Sequence, residues 1–499
     1  MKNKRMAGVL LHVTSLPSKH GVGTMGEEAY KFVDWLYESK IKLWQVLPLV
    51  PTNYGDSPYQ SVSSTAVNYY LIDFDTLYKK KLLKKCEYEN TKFSYSDKRV
   101  DYSLLFERKI PLLKLAFSRF YKQNKGFLRF ISDGEYNDFA LFMTIKELHE
   151  HKAWTLWDEK YKSYSKKLEE EVKEKYYDNY LFWLWTQYEF LEEWLSLKNY
   201  ANKKGIKIMG DIPLYVAYDS VEVWKHPELF ILNEDKSLKL VAGCPPDCFT
   251  EDGQLWGNPV YDWEYQKNEG YSFWNNRISK SFELYDYLRI DHFRGFDRFY
   301  AIEAKYTNAR IGNWLDGPKF SLFEDKTNLN IVAEDLGFID EGVRVLMENT
   351  GYPGMKILEF AFDGNVDNEH KPTNTTENFC MYTGTHDNMP IYQYIMDLDQ
   401  YHLNVMIDDV LKQCKSLGVM FKGIKTPKSL TNKITELAFA SKANICIVPI
   451  QDLLCLDGSS RMNLPSTVSN DNWSFRVEKN QLSKSLSDRL KEYVTTYKR

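Results

Sequence analysis

The sequence predicts an α/β fold: a (β/α)8 TIM barrel with large inserted subdomains and no separate C-terminal β-domain. Three observations predict it. Eight short apolar runs rich in Val, Ile and Leu recur along the 499 residues, most of them separated by stretches with helical spacing. The runs are nearly continuous rather than alternating, which marks strands covered on both faces. Acids stand at the ends of several runs, where the strands of a barrel emerge at the face that carries its chemistry.

The runs, in order, are "AGVLLHV" (7–13), "LWQVLPL" (43–49), "IKIMGD" (206–211), "DYLRID" (286–291), "NIVAED" (330–335), "MKILEF" (355–360), "FCMYTG" (379–384) and "ANICIVPI" (443–450). Between them lie amphipathic stretches such as "EEAYKFVDWLYESK", "IDEGVRVLMENTG" and "LFWLWTQYEFLEEWLSLKNYANKKG". The last places Leu181, Leu184, Trp185, Tyr188, Leu191 and Leu195 on one predicted face. Strand and helix are therefore expected to alternate eight times, although no convincing helix separates the sixth and seventh runs.

A bare barrel needs about 250 residues, so roughly half of this chain is insertion. The largest insertion, 52–175, follows the second strand and is helical and rich in Lys and Tyr, as in "YKKKLLKKCEYENTKF". A second, 212–270, carries "HPELF", "AGCPPDCF" and "GQLWGNPVYDW" and reads as a loop-rich wall of a cleft. With no internal repeat and no low-complexity linker, residues 1–499 are expected to form a single catalytic barrel.

Composition narrows the function. Hydrophobic residues make up 43% and charged residues 27%, the balance of an ordinary globular protein. A net charge of −4 argues against a binder of nucleic-acid backbones, which concentrates Lys and Arg. The apolar run "AGVLL" near the N-terminus is too short for a signal segment or a membrane span, so no membrane partner is expected. Seven scattered cysteines do not form a disulfide framework and suit the cytoplasm. Cys244 and Cys248 bracket "PPD", but no second pair completes a tetrahedral site, so no metal is expected. Phosphate-loop, dinucleotide and nucleophile-elbow patterns are all missing, and no cofactor is expected.

The acids carry the chemistry. Asp211, Asp291 and Glu334 end the third, fourth and fifth runs, and Asp387 follows the seventh in "TGTHDN". Each alone could be an ion pair or a cap: Arg289 or Arg294 for Asp291, a helix N-cap for Asp335 or Asp387. Four at one mouth are more than stability requires, because a buried charge is costly unless paired, hydrogen-bonded or used. Paired carboxylates without a metal suit retaining cleavage of a glycosidic bond, which needs a nucleophile and a proton donor about 5 to 5.5 Å apart. Neighbouring strands lie about 4.8 Å apart and can supply such a pair. Arg289 lies two residues before Asp291, on the same side of its strand, and would hold it ionised; the apolar approach to Glu334 favours its neutral form. The residues alone leave open which acid plays which part. His386 is read as a donor to a substrate hydroxyl, and His12 and His292 equally as satisfied core histidines.

Taken together, "GVLLHVTSLPS", "WQVLPLVPTNYGDSPYQS", "GDIPLYVAYDSVEVW", "VAGCPPDCFTEDGQLWGNPVYDW", "LRIDHFRGF", "VAEDLG", "YPGMKILEFAF" and "YTGTHDN" resemble, in order, the amylomaltase family of 4-alpha-glucanotransferases. The resemblance covers most of the chain outside about 75–200. It implies transfer of a segment of an α-1,4-glucan or maltooligosaccharide to the 4-hydroxyl of an acceptor such as glucose or maltose, through a covalent glycosyl-enzyme. By the same resemblance Asp291 is the nucleophile, Glu334 the acid that then turns base, and Asp387 a third carboxylate that grips ring hydroxyls with His386. Arg289 matches the arginine beside the nucleophile, Tyr59 an aromatic platform, Asp211 a hydroxyl contact, and Gln254 and Trp256 a loop overhanging the cleft. An α-1,4-glucan hydrolase and a silent glucan-binding protein are the alternatives. The chain departs from the family pattern at Cys248, at Met389 and Pro390, at Ser466 in place of glycine and at Phe475 in place of tryptophan. These departures bear on acceptor preference and product size, not on the acids.

Overall fold

The computed structural model describes residues 5–53, 55–246, 251–337, 339–420 and 426–499. Among the described residues twelve strands are found in chain order: β1 (Met6–Leu10), β2 (Leu43–Gln45), β3 (Lys207–Ile212), β4 (Leu240–Cys244), β5 (Gln254–Pro259), β6 (Tyr287–Ile290), β7 (Arg298–Glu303), β8 (Asn313–Asp316), β9 (Ile331–Ala333), β10 (Gly354–Ile357), β11 (Phe379–Tyr382) and β12 (Ile445–Pro449). Eight of them, one in each apolar run, form a parallel sheet in the order β10-β11-β12-β1-β2-β3-β6-β9. The remaining seam, between β9 and β10, is bridged where the Ala333 N–H donates to the Pro353 carbonyl at 2.9 Å and the Met355 N–H to Asp335 Oδ1 at 2.6 Å. The result is the expected (β/α)8 barrel.

Its strands are apolar because both faces are covered. Every residue of β1, β2, β9, β10 and β12 is buried. The helix Glu27–Glu38 lays Ala29, Phe32, Val33 and Leu36 against the barrel and turns its charges outward. Gly210 in β3 is a close-approach glycine: a Cβ there would stand 2.1 Å from the Tyr285 ring that packs across the strand.

Three expectations need correction. The long helix, Tyr177–Lys203, has no single apolar face. Phe182, Trp183, Trp185 and Trp194 are all buried, whereas Leu195 is exposed, because the helix is enclosed between the barrel and the inserted helices Lys125–Asp133, Asn137–Leu148 and Lys166–Lys175. Strand and helix do not alternate throughout. From β6 to β9 the chain runs through a 3-10 turn, the strands β7 and β8, and a second 3-10 turn, and between β10 and β11 it makes only the 3-10 turn Leu358–Phe360. Nor is the segment 212–270 all loop. Its β4 and β5 join β7 and β8 in a four-stranded antiparallel sheet ordered β5-β4-β7-β8. That sheet is continuous in sequence with the turn following β6, which brings its residues to the barrel mouth.

Candidate active site

Ile290 of β6 and Ala333 of β9 are register partners, and Asp291 and Glu334 are the next residue on each strand. The two carboxyls therefore leave the barrel side by side. β3 pairs with β6 from the other side, matching Asp211 with Arg289.

Arg289 is enclosed by acids. Its Nη1 donates to both oxygens of Asp211, at 2.9 and 2.7 Å, and its Nη2 donates to Asp291 Oδ1 at 2.9 Å. Burial works against the guanidinium, but Asp211 and then Asp291 more than offset it, so its pKa stands well above the ordinary value. Asp211 is only 1% exposed, and its Oδ2 also accepts from the Tyr59 hydroxyl at 2.8 Å. Asp291 side-chain atoms are 29% exposed, toward the cleft.

Glu334 is held differently. Its Oε2 accepts the backbone N–H of His292 at 2.7 Å and its Oε1 that of Leu336 at 2.8 Å. Burial, and then the neighbouring charge of Asp291, push its carboxyl up to about 7, against the opposing pull of Arg289 and the two backbone donors. The acid can thus carry a proton near neutrality beside the guanidinium-tied Asp291.

The other predicted residues close the site. The Tyr59 ring stacks on His386, with centroids 4.9 Å apart at 16°. His386 Nε2 lies 3.4 Å from Asp387 Oδ1, and that oxygen accepts from Asn463 Nδ2 at 2.7 Å. Trp256 stands edge-on to His292 at 4.8 Å and donates from Nε1 to Gln254 Oε1 at 3.1 Å. All nine predicted site residues, Tyr59, Asp211, Gln254, Trp256, Arg289, Asp291, Glu334, His386 and Asp387, thus belong to linked contacts around the strand ends.

The simpler alternatives fare unequally. The ion pair of Asp291 with Arg289 is present, whereas Arg294 pairs with Asp340 at 3.3 Å and lies over the Trp314 ring. Asp335 accepts from Met355 at the barrel seam rather than capping a helix, the cap of Glu341–Thr350 being Asp340. His12 is buried, accepts the Leu47 N–H through Nδ1, and is pushed down to about 3 by burial and by nearby His386. Cys248 lies outside the described residues, and among the described residues no group of three or more His, Cys, Asp or Glu is placed to hold a metal ion.

Sequence reasoning missed several residues. Asn463 and Arg461, which donates to the Asp387 carbonyl, and Trp473, whose ring lies 5.6 Å from Tyr59 and 5.8 Å from His386, come from the irregular segment after β12. A tryptophan within the polar run "SNDNWS" was the available signal. Ser466, noted as replacing glycine, has φ 62°, a backbone setting that a glycine enters without a Cβ penalty. Phe475 is a buried core residue, and Met389 lies against the chain at Gly458.

Known proteins resemble this chain over nearly its whole length. A family model described as 4-alpha-glucanotransferase matches residues 11–482. The 4-alpha-glucanotransferase of Streptococcus pneumoniae is 40% identical over 505 residues, covering 99% of this chain and 98% of that protein. That of Clostridium butyricum is 39% identical, covering 98% and 100%. Among solved structures, an amylomaltase from Streptococcus agalactiae in complex with acarbose superposes with a TM-score of 0.93 at 40% identity, over 99% of this chain and 100% of that one.

Proposed function

This chain belongs to the 4-alpha-glucanotransferase family, and from that premise we propose which of its residues perform the transfer. The enzyme moves a segment of an α-1,4-glucan or maltooligosaccharide to an acceptor sugar such as glucose or maltose. Among the described residues no helix is long and apolar enough to cross a membrane. Its place in the cytoplasm is a reading from cysteine usage.

A donor chain lies with the bond to be cut across the gap between Asp291 and Glu334. The Asp291 carboxylate attacks the anomeric carbon; the bond to the leaving 4-oxygen breaks, and that oxygen takes the Glu334 proton. The shortened glucan departs, leaving a β-linked glycosyl ester on Asp291. Glu334, now a carboxylate, takes the proton of an acceptor 4-hydroxyl as its oxygen attacks the same carbon and frees Asp291. Two inversions restore the α-linkage. Arg289 stabilises Asp291 as the ester forms and breaks, and Asp387 with His386 grips hydroxyls of the distorted ring over the Tyr59 platform. Trp256 and Gln254 shield the intermediate from water on the acceptor side.

The observation that carries this assignment is the unequal environment of two adjacent strand-end acids, Asp291 bonded to the Arg289 guanidinium and Glu334 bonded to backbone N–H groups alone, where burial and the neighbouring acid push its carboxyl up. Incubation with maltotriose tests the reaction: glucose together with longer maltooligosaccharides is expected. Shorter sugars alone would mean hydrolysis, and unchanged substrate would mean binding without turnover. Asp291→Asn tests the nucleophile, with turnover expected to fall by about 10⁴-fold or more while the thermal melt is retained.

A further inference from the structure

Asp387 and His386 stand on a loop whose two ends are held by one buried side chain. Thr383 follows β11, and Ile391 begins the helix Ile391–Asp397. Thr383 Oγ1 donates to Asp452 Oδ2 at 2.5 Å, and the Ile391 N–H donates to Asp452 Oδ1 at 2.8 Å. Asp452 is 2% exposed and belongs to the short helix Ile450–Leu454 that follows β12.

The loop is tied to the segment after β12, where Arg461 donates to the Asp387 carbonyl, the Asn463 N–H to the His386 carbonyl at 3.1 Å and Asn463 Nδ2 to Asp387 Oδ1, and a small cavity lies under it with Asn388, Met389 and Asp452 in its walls. Inside the loop, Asn388 Oδ1 accepts from the Thr385 N–H and Oγ1, both at 2.8 Å, so the turn has its own internal shape. The paired grip on Thr383 and Ile391 adds a hold on the two ends of that turn, tying them to the helix that follows β12.

We propose that Asp452 is a positioning residue for the transfer reaction, setting through Thr383 and Ile391 where His386 and Asp387 meet the sugar. The proposal rests on the reading that Asp387 binds ring hydroxyls. A carboxylate accepts from both partners; an asparagine could replace it, its oxygen accepting from the Ile391 N–H and its amide donating to the Thr383 hydroxyl, so Asp452→Ala is the substitution that releases both ends. Thr383 is fully buried, so Thr383→Val keeps its volume and removes the donor, and Thr383→Ser keeps the donor.

The test is a double-mutant cycle on maltotriose disproportionation, with Asp452→Ala, Thr383→Val and Thr383→Ser each made alone and on an Asp387→Asn background. Alone, Asp452→Ala and Thr383→Val are expected to lower kcat about tenfold or more with little change in KM, while Thr383→Ser stays within about twofold. On the Asp387→Asn background these losses should shrink to the part that His386 carries. An equal fold-loss on both backgrounds, or Thr383→Ser as impaired as Thr383→Val, would overturn the positioning proposal alone. Wild-type turnover in Asp387→Asn would overturn the role of Asp387, and this proposal with it. Thermal melts identify a variant that does not fold; should Asp452→Ala be one, the Thr383 pair decides the question unaided.

Discussion

The backbone N–H of His292 donates to Glu334 Oε2 at 2.7 Å, and His292 is the residue directly after Asp291. Its φ of 50° places it in the left-handed region, which turns the amide away from its own strand toward β9. The bend that releases Asp291 from β6 thereby also fixes the second acid. The two carboxyls are coupled through geometry as well as through charge.

That coupling sets a pH dependence. Proton donation requires the neutral form of Glu334, which is lost as pH rises through about 7, so kcat should fall on the alkaline side of neutrality. Glu334→Gln should lose this limb and about 10²- to 10⁴-fold of activity on glucans, but much less on maltosyl fluoride, whose leaving group needs little protonation. Since the folded-state pKa is raised, Glu334 favours folding below its unfolded value, and this contribution is lost as pH climbs to about 7. Glu334→Gln should therefore melt no lower than wild type above neutrality. In Asp291→Asn the like charge is gone, and the Glu334 carboxyl carbon should titrate at lower pH by NMR. An unchanged midpoint would contradict the coupling.

Arg289 holds two acids, one of them fully enclosed. Arg289→Lys replaces a planar fork with a single ammonium, which cannot keep both oxygens of Asp211 and Oδ1 of Asp291 at hydrogen-bond distance. A buried carboxylate left unpaired costs about 3 to 5 kcal/mol. Chemical denaturation of Arg289→Ala should show a loss of that order, and much of it should be recovered in Arg289→Ala with Asp211→Asn. Recovery of stability without recovery of turnover is expected, because Asp291 still lacks its partner.

The barrel was legible because its strands are buried on both faces and need no alternation to be recognised. The small sheet was not: in β5 the first four residues of "QLWGNP" are only half-buried or exposed, and its glycine and proline are residues depleted in strands, so its sequence resembles loop. The enclosed helix Tyr177–Lys203 misled in the opposite way, since burial on several sides removes the polar face from which a helix is oriented. In the site, Asp211, Asp291 and Glu334 could be found because each ends an apolar run. Asp452 lies just beyond the last run in a helix of five residues, too short to show a period, and Asn463 and Trp473 lie in irregular chain, so only the folded contacts reveal what they hold.

Ser466 offers a test in which sequence departure and backbone meet. It is exposed, with φ 62°, so its side chain gains little from packing while its Cβ crowds the left-handed turn. Left-handed backbone costs a non-glycine residue about 1 to 2 kcal/mol, partly offset by the entropy that a glycine loses on folding. Ser466→Gly should raise stability by about 0.5 to 1 kcal/mol, read as a higher denaturant midpoint with unchanged slope. A lower midpoint would mean that the serine side chain compensates for its backbone.

Tyr59 separates stacking from hydrogen bonding within one residue. Its ring lies flat on His386, and its hydroxyl donates to Asp211, whose other contacts come from Arg289. Tyr59→Phe keeps the platform and removes one donor to an ionised, buried carboxylate, a loss of about 1.5 to 3 kcal/mol, or roughly ten- to a hundredfold in kcat/KM if all of it is felt in the transition state. Tyr59→Ala also removes the surface beneath the sugar and the support of the imidazole, so it should be lower still. Steady-state kinetics on maltotriose would check the order: Phe and Ala equally impaired would place the whole contribution in the hydroxyl, and a Phe variant at wild-type rate would place it in the ring.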